Sequence, residues 1–357
     1  MIATPDKKLK LLHVVRRYGP VGGMERYVWE LTHELATLGH EVVVVCERCH
    51  VELPQDIVVY ELGEIAPRPR WLSLLRFGTR TARWLKENPQ QNCLIHSHER
   101  LSGHHLTTFH GPPFATIFER SFWRLLSLRV WMQLYLERRE LAVAQHIVPN
   151  SQFIKQQLAH YYPQWAHKLT VPIVPGVLPG PVRAVRVVLP DGGVIGFVGK
   201  EWQRKGLPFA AEIVAALRRT RPALKFCVAG PAVTEIQHLF AGWQGGYQLL
   251  GWSKQAQYAD FDVLLHPAKA EPYGMVISEA MAASVPVVIS DVCGAARQVT
   301  PAAGAVLSLT APLAEWVNKV EEQLRRSDSP PEFVRGWNEV AGDYEKIYCQ
   351  WREGQKP

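Results

Sequence analysis

The chain has 357 residues, room for two ordinary domains with complete cores. Hydrophobic residues make up 47%, which excludes extended disorder, and no apolar run approaches the roughly 18–20 residues of a membrane-spanning helix. A formal net charge of +7 favours an anionic partner such as a phosphorylated substrate, an acidic membrane face or nucleic acid, although a solvated basic surface carries the same charge.

The N-terminal segment 1–10 is charged and leads straight into an apolar run at 11–15. It has no signal-peptide core or cleavage pattern, so a cytoplasmic location is expected. The continuous apolar run at 9–15 predicts a parallel strand covered on both faces. A turn at 19–23 follows, then Val28, Leu31, Leu35 and Leu38 recur at helical spacing until Gly39 stops them. Residues 41–46 read as the next strand, and this order predicts a right-handed doubly wound unit. The string CERCH at 46–50 spells a haem-attachment pattern. It follows a buried-strand run in a chain without an export signal, and no second ligand pair follows for zinc. The six scattered cysteines are therefore expected to be reduced core thiols.

Further strands are expected at 94–98, 107–110 and 146–149, a long helix rich in arginine and aromatics at 121–141, and another helix at 151–162. Prolines and glycines crowd the stretch 171–191 and predict a linker at 173–190 after a first domain at 1–172. Alternation then restarts in a second domain at 191–331. Strands are expected at 194–198, 224–229, 247–250, 263–266 and 287–290, with helices at 206–219 and 277–283. The segment 332–357 carries Phe333, Trp337, Tyr344, Ile347, Tyr348 and Trp351 and is expected to pack as a helix. The fold class is α/β: two doubly wound, Rossmann-like domains expected to face across a cleft that binds ligands at strand carboxyl ends.

The densest chemical signal is the string HPAKAEPYGMVISEAMA at 266–282. A strand ends, a Pro/Gly loop follows and a helix begins, so loop amides and the helix N-terminus make an anion site. Gly274 permits close backbone approach to a ligand. Glu271 and Glu279, with seven residues between them, sit in apolar surroundings where solvated surface carboxylates are not expected. This segment resembles the retaining GT-B glycosyltransferases of family 4, whose signature is two glutamates at this separation. The resemblance gives Glu271 the transferred sugar, Glu279 the nucleotide ribose, and the amides of Tyr273, Gly274, Met275 and Val276 the sugar and diphosphate.

A second signal is GFVGKEWQRKG at 196–206, a strand followed by three cations and a helix-opening glycine. Cations there suit a diphosphate and its leaving charge, and a lysine-rich surface turn is the plainer reading. In the family this loop binds the donor diphosphate; Lys205 fits its lysine, and Lys200 or Arg204 supplies the second cation. The turn Gly22-Gly23-Met24-Glu25-Arg26 suits phosphate approach or an ordinary tight turn. By resemblance it borders the donor phosphates and the acceptor, with Glu25 on the acceptor side.

His96, His98, His104, His105 and His110 cluster within one short stretch. Metal binding is weighed against a cleft-lining set, which is preferred because no carboxylate pair completes a site. The string TTFHG at 107–111 resembles the family motif whose histidine lies beside the donor sugar, which implies that role for His110 and an acceptor contact for His98. Aromatics mixed with arginines over 114–139 point either to an anionic inner-membrane surface or glycolipid, or to a helix packed on the sheet with a basic outer face. Residues 135–151 also resemble the WaaG-type lipopolysaccharide core glucosyltransferases, which implies work at the cytoplasmic face of the inner membrane.

The resemblance implies a retaining hexosyltransferase that needs no cofactor or metal, with Glu271, His110 and Lys205 at the reacting centre. The expected donor is UDP-linked and the expected acceptor a lipopolysaccharide core or related glycolipid, with GDP-mannose as the alternative donor. An inverting enzyme with His110 as general base is the rival chemistry. Nucleic acid is not expected, because the most specific motif is an acidic, phosphate-ready loop.

Overall fold

The computed structural model describes residues 8–66, 68–119, 126–252 and 257–354. The chain divides into two units, Met1–Pro175 with Trp337–Pro357, and Gly176–Gly336. Unit 1 contains β1 (Lys10–Val14), β2 (Arg17–Tyr18), α1 (Gly23–Thr37), β3 (Glu41–Cys46), β4 (Arg48–Cys49), β5 (Ile57–Glu61), α2 (Arg70–Glu87), β6 (Cys93–Ser97), β7 (Leu106–Phe109), α3 (Leu128–Val143), β8 (His146–Pro149) and α4 (Gln152–Tyr161). Its main sheet is parallel, in the order β5-β3-β1-β6-β7-β8. Leu11, Leu12, His13 and Val14 are all buried, as a strand covered on both faces requires. The inward face of α1 is Tyr27, Val28, Leu31 and Leu35.

Unit 2 contains β9 (Val194–Val198), α5 (Leu207–Leu217), β10 (Lys225–Ala229), α6 (Val233–Ile236), β11 (Tyr247–Gly251), β12 (Val263–His266), α7 (Met275–Ala282), β13 (Val287–Ser290), β14 (Gly304–Leu307) and α8 (Leu313–Leu324). Its sheet is also parallel, in the order β11-β10-β9-β12-β13-β14. Ile195, Phe197, Phe226, Val263 and Leu265 from the sheet pack with Leu207, Val214, Trp316 and Val320 from α5 and α8 in one core. The proline-rich stretch after Gly176 is held to this unit. Arg183 Nη2 and Arg186 Nε each lie 2.8 Å from Asp262 Oδ1, whose other oxygen accepts from the Val194 amide at 2.8 Å.

The last helix, α9 (Trp337–Glu353), belongs to unit 1 and packs on α1. Its buried face is Trp337, Val340, Ala341, Tyr344 and Tyr348. Tyr344 Oη lies 2.9 Å from Tyr27 Oη and 2.7 Å from Thr108 Oγ1.

One expected element is corrected. The helix read at 121–141 begins at Leu128, after Ser127 in extended conformation, and Phe114–Glu119 is a separate short turn. Residues 120–125, including Arg120, Phe122, Trp123, Arg124 and Leu125, lie outside the described residues.

Both sheets reverse their strand order beside the first strand, between β1 and β6 in unit 1 and between β9 and β12 in unit 2. Loops leaving the carboxyl ends of these strands are where open α/β sheets hold ligands.

Candidate active site

In unit 2, β9 ends at Val198 and releases the loop 199–206 before α5, and β12 ends at His266 and releases 267–274 before α7. The two strands are neighbours, in register Val263 to Ile195 and Leu264 to Gly196. Their loops therefore leave the sheet side by side, and residues distant in sequence meet. Lys205 Nζ lies 3.0 Å from Glu271 Oε2, His266 Nε2 lies 3.3 Å from the same oxygen, and Arg204 Nη1 lies 3.7 Å from Glu271 Oε1. Glu271 is only 6% exposed. Burial by itself would raise its carboxyl, but the Lys205 ammonium, the His266 ring and the Arg204 guanidinium outweigh it and hold the group well below the usual carboxylate range. Glu271 is therefore an ionised hydrogen-bond acceptor and a poor proton acceptor.

The backbone fixes this carboxylate. The Gly294 amide donates to the Glu271 carbonyl at 2.9 Å, and the Ala295 amide to the Tyr273 carbonyl at 2.8 Å. Gly274 adopts φ 96°, and a Cβ there would fall 3.0 Å from Glu271 Cγ and 2.8 Å from Ile277 Cδ1, so only glycine lets the loop close over its own glutamate. Gly199, at φ 153°, has the Lys205 stem across it, where a Cβ would stand 2.2 Å from Lys205 Cδ.

The other residues expected on the donor side take distinct places. Arg204 ties the loops together, with Nε 2.7 Å from Glu201 Oε2 and Nη1 donating to the Ala270 carbonyl. Lys200 is exposed, its Nζ 5.8 Å from the centre of the Trp252 ring. The Tyr273 ring is buried with its hydroxyl 2.7 Å from Ser278 Oγ, so this residue offers its backbone rather than its phenol. Met275 and Val276 form the first turn of α7, whose leading amides have no partner within the helix itself. Glu279, on the next turn, accepts from Tyr258 Oη at 2.5 Å. Two site residues were missed from sequence. His266 stands inside the quoted motif without a family role to mark it, and Tyr258 belongs to no motif at all.

In unit 1, His98 follows β6 and His110 follows β7. The β1–β6 register sets His13, a third histidine that sequence reasoning had not grouped with them, opposite His96. His13 Nδ1 lies 3.1 Å from His98 Nε2, and His98 Nδ1 lies 3.0 Å from His110 Nε2. His96 is held at both nitrogens, 2.8 Å from Tyr348 Oη and 2.8 Å from Thr108 Oγ1. Burial lowers His13 and His110 to about 3, and lowers His96 and His98 well below the usual value with help from the neighbouring rings, so all four are neutral near pH 7. His13, His96 and His98 bring ligand-capable atoms within 4.8 Å of one another, but these atoms are largely engaged in the hydrogen bonds just described.

His105 is a core histidine: its Nδ1 accepts from the Ile95 amide at 2.9 Å, and its ring packs on Trp351. His104 is buried nearby. Gly22 caps α1 and its carbonyl accepts from the Arg26 amide at 2.9 Å, while Gly23 is exposed in the first turn. Glu25 is buried and ion-paired with the exposed Arg17.

Within 114–139 the two sides of α3 differ. Val130, Leu134 and Leu136 are buried, and Glu137 accepts from the Phe114 amide at 2.8 Å, from Tyr162 Oη at 2.6 Å and from Arg100 Nη2 at 2.7 Å. Leu128, Trp131, Tyr135 and Arg138 are exposed, and Trp131, Tyr135, Arg138, Tyr161 and Trp165 help line a cavity of about 470 Å³. The described part of the segment thus has a packed inner face and an aromatic, basic outer one.

Two family models match, one in each unit. The model for Glycosyltransferase Family 4 matches residues 21–177, and that for glycosyl transferases group 1 matches residues 192–326. The chain is 28% identical over 167 residues to a GDP-mannose-dependent alpha-mannosyltransferase of Mycolicibacterium smegmatis, a match that spans 43% of this chain and 41% of that protein. It is 24% identical over 393 residues to a D-inositol 3-phosphate glycosyltransferase of Thermobispora bispora, spanning 93% of this chain and 90% of that protein. Among solved structures, WaaG, a glycosyltransferase involved in lipopolysaccharide biosynthesis, superposes with a TM-score of 0.78 at 18% identity, covering 96% of this chain and 98% of that one. With a matching model in each of its two parallel-sheet, Rossmann-like units, the chain belongs to the glycosyltransferases of family 4 and group 1 and has the GT-B fold.

Proposed function

We propose that this chain transfers a hexose or N-acetylhexosamine from a UDP-linked donor to a lipopolysaccharide core or related glycolipid, with retention of anomeric configuration and no metal requirement. The observation that carries this reading is the ion pair of Lys205 and Glu271 at the reversal point of the unit 2 sheet. It supplies a cation for a departing diphosphate and an ionised carboxylate for a sugar hydroxyl, side by side on neighbouring loops.

When the donor binds, Lys205 turns from Glu271 to the diphosphate, with Arg204 or Lys200 as the second cation and the leading amides of α7 beside it. Glu271 accepts from a hydroxyl of the transferred sugar, and Glu279 accepts from the ribose hydroxyls. The acceptor hydroxyl attacks C1 on the face from which the nucleotide leaves. The C1–O electron pair goes to the diphosphate, whose leaving oxygen takes the acceptor proton. Glu271 is too well held as an anion to serve as the base. His110 contacts the transferred sugar and Glu25 belongs to the acceptor side, whereas His98, with both ring nitrogens engaged by His13 and His110, supports His110 and does not meet the acceptor. The exposed aromatics and Arg138 of α3 favour work as a peripheral protein at the cytoplasmic face of an anionic membrane.

The likeness to a mannosyltransferase favours GDP-mannose as the second reading of the donor. The test of the chemistry is the product anomer. Incubation of an α-linked UDP-sugar with acceptor in chelator should give an α-linked product by proton NMR. A β-linked product would overturn retention, and abolition of turnover by chelator would overturn metal independence. Sedimentation with anionic but not zwitterionic vesicles is expected for the membrane reading, and equal recovery with both would contradict it.

A further inference from the structure

Three histidines of unit 1 form one hydrogen-bonded row: His13 Nδ1 to His98 Nε2 at 3.1 Å, then His98 Nδ1 to His110 Nε2 at 3.0 Å. Each contact between ring nitrogens holds one proton, donated from one side and accepted on the other. All three rings are neutral near pH 7, so the row carries one proton per ring. Two of these fill the two contacts. The remaining proton sits at one end of the row, on His13 Nε2 or on His110 Nδ1.

The two ends are not equivalent. His13 is fully buried and its Nε2 has no hydrogen-bond partner. His110 is half-buried, with the Tyr27 ring edge-on at 4.9 Å and its own carbonyl accepting from Asn150 Nδ2 at 3.2 Å. A proton on His13 Nε2 would bury an N–H donor with nothing to accept it, and such orphaned donors are rarer in proteins than under-used acceptors. The proton therefore goes to the His110 end. The row then reads in one direction: His13 Nδ1–H donates to His98 Nε2, His98 Nδ1–H donates to His110 Nε2, and His110 carries its proton on Nδ1. The His96 ring, pinned by Tyr348 and Thr108, packs 4.1 Å from the His98 ring and keeps the middle of the row in place.

We propose that His98 and His13 are positioning residues that lock His110 in its Nδ1–H tautomer, so that His110 meets its ligand as a hydrogen-bond donor and not as a general base. The lone pair of His110 is spent on His98, and its outward nitrogen is already protonated. Such a group suits an oxygen of the transferred sugar or of the leaving phosphate, and it removes the base that an inverting mechanism would need. The consequence for catalysis rests on the proposed reading of His110 as a sugar contact. The tautomer itself does not.

The test begins on the unaltered protein. Two-bond nitrogen–proton correlation spectra of ¹⁵N-histidine-labelled full chain, with His110→Asn used to assign the signal, should show His110 protonated on Nδ1. Protonation on Nε2 would overturn the proposal. His98→Asn keeps an amide donor where Nδ1 stood and should preserve the Nδ1–H tautomer and most of kcat. His98→Leu should leave His110 a mixture of tautomers and lower kcat about 10²-fold, the usual cost of one aimed donor, with KM for the donor little changed. Equal kcat losses in the Asn and Leu variants, with melting temperatures unchanged, would reject the positioning role. An Nδ1–H tautomer together with full activity of His110→Asn would uphold the lock and reject the sugar-contact reading instead.

Discussion

Lys205 and Glu271 face each other at 3.0 Å from the loops that follow two adjacent strands of the unit 2 sheet. Lys205→Ala is expected to lower kcat/KM about 10²–10³-fold by removing an aimed charge from the leaving group. Glu271→Gln keeps the shape but loses the anion, and should lower kcat more than it raises KM for the donor. The double variant should be less impaired than the product of the two single losses, because the residues act as a unit. Strict multiplicativity in steady-state kinetics would show that they work independently.

Tyr258 and Glu279 offer a sharper test of donor binding. The phenol holds one Glu279 carboxylate oxygen at 2.5 Å and so fixes the carboxylate that the proposed reading sets against the ribose. Tyr258→Phe should weaken donor binding by about 3–10-fold, the value of one hydrogen bond to a charged group after partial replacement by water, with kcat nearly unchanged. Calorimetric titration of donor into the variant measures this, and unchanged affinity would separate Tyr258 from the ribose site.

The buried carboxyl of Glu140 makes a stability prediction with a definite sign. Burial pushes it from 4.5 up to about 8, against the Thr107 hydroxyl, which donates to it at 2.6 Å. The folded chain thus keeps a proton that the unfolded chain releases, and stability falls as pH rises from about 4.5 to about 8. Glu140→Gln retains an acceptor for Thr107 and cannot ionise. Its melting temperature should fall less over this range than that of the unaltered chain. Parallel curves for the two proteins would contradict the assignment.

Arg183 and Asp262 pin the proline-rich stretch to unit 2 through a buried ion pair at 2.8 Å. Removal of Arg183 leaves Asp262 with Arg186 and the Val194 amide, so the cost is expected to fall below the roughly 3–5 kcal/mol of a buried pair broken outright. Arg183→Ala should lower the denaturant midpoint of unit 2 accordingly, and a midpoint within error of the unaltered chain would show that Arg186 alone suffices for Asp262.

Some of this was legible in the sequence because the chemistry is compressed. Glu271, Gly274 and Glu279 occupy one contiguous motif, and β3, β8, β9, β12 and β13 are apolar runs with clear limits. Other parts escape periodicity for physical reasons. The inward face of α2 includes Ser73, Gly78 and Thr81, so its apolar stripe is faint. The strand β5 lies at a sheet edge with Val58 and Tyr60 exposed, and β14 is likewise an edge. The helix α8 shows Trp316, Val320 and Leu324 at fourfold spacing and was open to the same reading as α1. His13 joins the other histidines only through strand register, and Tyr258 meets Glu279 only in space, so neither leaves a local signal.

The most direct test of the donor site is a thermal-shift panel of UDP-, GDP-, ADP- and dTDP-sugars in chelator. A UDP-sugar is expected to raise the melting temperature of the full chain, and Lys205→Ala and Glu279→Ala should each abolish the shift while melting cooperatively on their own. Stabilisation by a GDP-sugar alone would replace the donor. If none of the four shifts the protein, the assignment of a nucleotide-sugar site to Lys205, Glu271 and Glu279 is contradicted.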